Sequence, residues 1–143
     1  SFRRRNFFHG KPLEGSAIKD VCWLKPDGRE MTPEDWNDAH ARCFAMLISG
    51  NGIAERGPRG EALRDDDFLL LFNAHHDEIA FVLPAANHGD WHLLIDTATQ
   101  ALPPDKASSP EEEAPAWTVP SYPLQGRSFV LMSRAARGAE EPE

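Results

Sequence analysis

The sequence predicts an all-β fold, an antiparallel sandwich or barrel, and three observations carry that prediction. Three apolar runs, FLLLFNA (68–74), EIAFVLP (78–84) and WHLLIDT (91–97), follow one another at spacings of about 10–13 residues. The segments between them, HHD and AANHGD, are polar turns. The length of 143 residues is enough for one domain with a real core, but far short of the roughly 250 residues of a (β/α)8 barrel.

Each element has its own signal. Phe7 and Phe8, after three arginines, suit the last turns of a helix that Gly10 and Pro12 end. Residues 18–24, IKDVCWL, carry β-branched and aromatic side chains and read as a strand, with Pro26-Asp27-Gly28 as the following turn. Thr32 is placed to cap a short helical turn that starts with Pro33, and Glu34 and Asp35 lie where the helix dipole favours negative charge. In 41–49, ARCFAMLIS, the alternation sets Arg42, Phe44, Met46 and Ile48 on one side and Cys43, Ala45 and Leu47 on the other, and Gly50-Asn51-Gly52 stops the strand.

Residues 53–66 mix both charge signs with Gly57, Pro58 and Gly60, as a surface loop does. The proline-rich 99–116 segment, with Glu111-Glu112-Glu113, has almost nothing to bury and is expected to be a mobile excursion. Tyr122 and the run 127–133, RSFVLMS, form the last strand. An acidic tail over 135–143 is expected to be disordered.

Composition removes several function classes. Fifteen Lys+Arg against 23 Asp+Glu give a formal net charge of −8, so a phosphate backbone is repelled and no nucleic acid is expected as a partner. Arg3-Arg4-Arg5 is too short for a polyanion groove. No apolar run of about 18 residues and no signal-peptide pattern occurs, so no membrane is expected either. Cys22 and Cys43 make neither a disulfide framework nor a four-ligand zinc site, and with the other signs they place the protein in a reducing cytoplasm. The opening SFRRRNFF has no initiator Met and no targeting character, so the chain reads as a piece of something longer.

The search for chemistry yields little. Hydrolysis of a glycoside needs two carboxyl groups roughly 5–10 Å apart, but most acids lie in clusters, Asp65-Asp66-Asp67 among them, that read as solvated. Asp20 and Asp96, in or at the end of strands, are better placed, yet no pair stands out. His75-His76 with His88 and His92 fit no metal spacing, and adjacent histidines in a strand-turn-strand are expected to point different ways; no metal and no cofactor is assigned. A nucleophile elbow and phosphate-cradling glycine motifs are lacking. What remains is aromatic: Trp23, Trp36, Trp91, Trp117 and Tyr122, whose faces can stack on sugar rings. Trp91 opens an apolar strand and reads as core, whereas Trp36 sits in a polar turn between Asp35 and Asn37.

The stretch RRRNFFHGKPLEGSAIKDVCWLKPDGREMTPEDWND (3–38), then LLLFNAHHDEIAFVLP (69–84) and YPLQGRSFVLM (122–132), resembles the C-terminal end of bacterial glycogen debranching enzymes. These are isoamylase-type members of the α-amylase superfamily, glycoside hydrolase family 13. The resemblance implies that residues 1–15 are the tail of an upstream catalytic barrel. It implies that 16–134 form the Greek-key-like antiparallel β-sandwich that follows such barrels. The family's catalytic Asp and Glu residues lie upstream, so no residue here is expected to be catalytic. Two functions follow as expectations. In one, the sandwich packs on and stabilises the catalytic barrel of the same polypeptide through Phe7, Phe8 and Trp23. In the other it is an accessory α-glucan-binding module, with Trp36 and Trp23 stacking on the chain and Asp35 and Asn37 hydrogen-bonding its hydroxyls.

Overall fold

The computed structural model describes residues 8–12, 19–50, 57–61, 65–84, 89–99 and 116–135. The expected N-terminal helical remnant, apart from Phe8, lies outside them, as do residues 100–115 of the segment 99–116 expected to be mobile and the tail beyond 135. Eight strands and one helical turn follow in order: β1 (Val21–Leu24), α1 (Pro33–Trp36), β2 (Cys43–Ile48), β3 (Asp67–Asn73), β4 (Ile79–Val82), β5 (Trp91–Asp96), β6 (Ala116–Trp117), β7 (Ser121–Leu124) and β8 (Ser128–Arg134). Six strands form an antiparallel sheet in the order β1-β2-β3-β8-β5-β6, and β4 and β7 pair in a second, two-stranded sheet. The domain is therefore an all-β sandwich, as expected.

Strand alternation explains how the two sheets meet. Leu24, Ala45, Leu69, Leu71, Val130 and Met132 turn one face of the large sheet inward, where Phe81, Tyr122 and Leu124 of the small sheet cover them. Burying each such side chain contributes about 1.5–3 kcal/mol. In β5 the register with β8 shifts between Leu93 and Ile95, a bulge that leaves Leu93 inward and turns Ile95 outward. Trp91 is buried, as its position predicts. Cys43 is buried and Cys22 half-buried, both as free thiols; burial pushes the Cys43 thiol up to about 11, so it behaves as a small apolar side chain.

Two expectations need correction. The closing segment is not one strand but two: β7 pairs with β4 in the small sheet, and the chain crosses at 125–127 into β8 of the large one. A Cβ on Gly126 would lie 2.2 Å from the His76 carbonyl oxygen, so only glycine lets this crossover pass the β3–β4 turn. The second correction is Asp67. Its Oδ2 accepts from Arg134 Nη2 at 2.7 Å and Nε at 3.2 Å, its Oδ1 accepts from the Gly50 N–H at 2.8 Å, and the Arg134 guanidinium lies 4.3 Å from the Trp91 ring centre. Asp67 is thus half of an inward-facing ion pair, not a solvated member of its acidic run, because strand parity puts it on the same face as Leu69 and Leu71.

Candidate functional site

The residues singled out for sugar recognition converge on α1. Thr32 accepts from the Asp35 N–H, while Asp35 Oδ2 accepts from the Thr32 N–H at 2.8 Å and from its hydroxyl at 2.9 Å, a complete capping box. These bonds, the backbone one first, hold the Asp35 carboxyl below its ordinary value of 3.8, with Lys25 Nζ 3.3 Å away adding to the effect. Asn37 closes the turn by donating from Nδ2 to the Pro33 carbonyl at 2.9 Å. Both polar candidates therefore build the turn that holds Trp36. That indole is 50% exposed and meets Trp23 edge to face, with centroids 5.4 Å apart. On the Asp35 side of the turn lies a groove of about 260 Å³ lined by Lys25, Met31, Asp35, His40, Arg42 and His75.

From Trp36 an aromatic row crosses the outer face of the large sheet. Trp23 and Trp36 both contact Phe44, at 5.9 and 6.1 Å; Phe44 stacks on Phe72 at 5.1 Å, and Phe72 meets Phe129 at 5.1 Å with the rings tilted by 43°. The last two contacts join residues directly opposite each other in neighbouring strands, the arrangement in which cross-strand pairs interact most strongly. Met46 and Leu131 extend the face around Ile48, Phe68 and Leu70, and Ile95 lies 43% exposed beyond them. The alternation of 41–49 already marked two sides, but not that the second side carries an apolar cluster of its own, with Ile48, Phe68 and Leu70 buried in it.

The incoming chain meets this same face. The His9 and Gly10 N–H groups donate to Asp20 at 2.7 and 2.8 Å, which seats Gly10 so that a Cβ there would lie 3.8 Å from Val21 Cγ1. Val21 shares its side of β1 with Trp23 and is paired with Ile48 of the outer cluster. Phe8 itself is 41% exposed, and Phe7 lies outside the described residues.

Asp20 and Asp96, the acids singled out in or at the end of strands, are engaged structurally. Asp20 anchors the entering chain. Buried Asp96 accepts from the Tyr122 hydroxyl and from the Ala98 N–H, and desolvation together with that carboxylate pushes the Tyr122 phenol far up. In the groove, Asp38 accepts from the His40 N–H at 2.9 Å. The imidazoles of His75 and His76 do not diverge: they stack at 4.3 Å with 25° between planes, since both lie in a bend where strand alternation no longer applies. His88 lies outside the described residues.

Comparison with known sequences places residues 20–133 in the family described as "Isoamylase, C-terminal". The chain belongs to the isoamylase C-terminal domain family. Two relatives show the range. A protein named "Glycogen operon protein GlgX homolog" from Mycobacterium tuberculosis (strain ATCC 25618 / H37Rv) is 45% identical over 98 residues, 67% of this chain and 14% of that protein. The "Isoamylase" of Flavobacterium sp is 27% identical over 136 residues, 92% of this chain and 16% of that protein. This isoamylase C-terminal domain thus spans about one-seventh of the mycobacterial relative. Among its described residues no helix is long and apolar enough to cross a membrane.

Proposed function

We propose that this chain is the non-catalytic C-terminal domain of a cytoplasmic glycogen debranching enzyme. On this reading an upstream barrel hydrolyses α-1,6-glucosidic branch linkages in glycogen or limit dextrin, and the domain packs on that barrel and stabilises it. The observation that carries the reading is the outer aromatic face. Ile48, Phe68 and Leu70 are already buried there and Phe44, Phe72 and Phe129 half-buried, and the exposed Trp36 and Ile95 continue the apolar face; such a patch marks an interaction site, and the entering chain lies against Val21 at its edge. The occupant is therefore the upstream part of the same polypeptide, whose tether raises its local concentration enough for a modest interface to hold. Phe44→Thr keeps a strand-compatible residue while interrupting the row. In the full-length polypeptide it is expected to shorten the half-life of debranching activity at elevated temperature severalfold, with initial activity retained; an unchanged half-life contradicts the reading.

A second reading draws on the half-exposed Trp36 at the rim of that face. Trp36 and Trp23 would offer a stacking platform for an α-glucan, beside the groove lined by Lys25, Met31 and Asp35, with Asp35 and Asn37 in the turn that carries Trp36. Native electrophoresis of the chain through gels with and without glycogen tests it. Retardation that Trp36→Ala abolishes supports the glucan platform, and mobility independent of glycogen removes it.

A further inference from the structure

The geometry points to a transition-metal site on the β3–β4 turn, formed by His75, His76 and Asp77. One donor atom from each of the three lies within 4.8 Å of the other two. His76 Nε2 is 3.2 Å and His75 Nδ1 3.9 Å from Asp77 Oδ2. Two donors about 2.0–2.1 Å from a tetrahedral zinc stand about 3.4 Å from each other, so the three groups already lie close to the separations a bound ion imposes. The two imidazoles stack, so both flank the same Asp77 carboxylate.

The turn is built to hold this arrangement. Asn73, 2% exposed, donates from Nδ2 to the carbonyls of Asp77, Leu124 and Gln125 at 2.9, 3.1 and 3.1 Å, and its Oδ1 accepts from the His75 N–H at 2.9 Å. The Arg127 N–H donates to the His75 carbonyl at 2.9 Å, and Gly126 lets the His76 carbonyl approach from the other sheet. Two donor residues are thus fixed by the backbone from both sides, which lowers the ordering cost of binding. The one local interaction a metal displaces is the Asp77 N–H donating to His75 Nδ1 at 3.1 Å.

Two imidazoles and one carboxylate suit zinc, copper or nickel rather than calcium or magnesium, which favour sets made only of oxygens. The His76 and Asp77 side chains are 64% and 70% exposed, so water completes the coordination. The site binds an ion from solution and ties together the three residues of the β3–β4 turn.

The test uses the 143-residue chain freed of metal by a chelator and then titrated with zinc against a chromophoric competitor. One equivalent is expected to bind, His76→Gln and Asp77→Asn each weakening it at least tenfold and His9→Gln leaving it unchanged. Because an ion that binds only the folded state stabilises it by mass action, zinc raises the melting temperature of the wild type and not of His76→Gln. Equal melting of the two in chelator excludes misfolding as the cause. No saturable binding, or binding that both His76→Gln and Asp77→Asn leave intact, overturns the site.

Discussion

Asp67 shows how one carboxylate ties three elements together. It joins the ends of β3 and β8 through Arg134 and the exit of β2 through the Gly50 N–H, and its partner's guanidinium covers the Trp91 ring. The Asp67 and Arg134 side chains are 14% and 6% exposed. Removing one partner of such a pair leaves an uncompensated buried charge, which costs about 3 kcal/mol or more. Asp67→Asn keeps the shape and an acceptor for Gly50, so urea unfolding followed by tryptophan fluorescence should show a loss of about 3 kcal/mol. A loss near zero would mean that Arg134 is satisfied without it. This role was legible in principle, since counting back by two from Leu71 through Leu69 puts residue 67 on the inner face; the acidic run around it hid the parity. No such rule was at hand for His75 and His76, because they lie in a bend, where side-chain direction is set by Asn73 and the crossover rather than by alternation.

Among the elements, α1 is the one whose chemistry the sequence states most completely. Thr32 as cap, Pro33 in the first turn and the acidic pair all stand where local rules put them, because a capping box is satisfied within four residues and asks nothing of the rest of the fold. The short strands β6 and β7 were hidden for the opposite reason. Pro120 and Pro123 demote their segment as a strand, yet Pro123 is tolerated because β7 pairs on one side only, with β4. The box also makes a pH prediction. The Asp35 carboxyl is held below its ordinary value of 3.8, first by the Thr32 N–H, so its ionised form is the one favoured by folding. Its contribution is complete above that ordinary value and is lost as pH falls through the lower, folded-state value. The Trp36 indole resonance followed by NMR on acidification should therefore shift with a midpoint below 3.8, a transition that Asp35→Asn removes. A midpoint at or above 3.8 would contradict the cap as described.

For the whole molecule, the sandwich and its inner core follow from strand spacing and alternation alone, and membership of the isoamylase C-terminal family from residues 20–133. What local patterns could not foresee is that a second cluster of buried apolar residues forms on the opposite face of the large sheet from the inner core. Its aromatic row depends on register across β1, β2, β3 and β8, which brings together residues more than a hundred positions apart. On the proposed reading this face is covered by the upstream part of the same polypeptide. Hydroxyl-radical footprinting of the aromatic side chains, comparing this chain alone with the full-length polypeptide, tests that claim most directly. Phe44, Phe72 and Phe129 are expected to be oxidised in the isolated chain and strongly protected in the full-length protein, while Val82 on the outside of the small sheet reacts equally in both. Equal oxidation of the three phenylalanines in both proteins would contradict it.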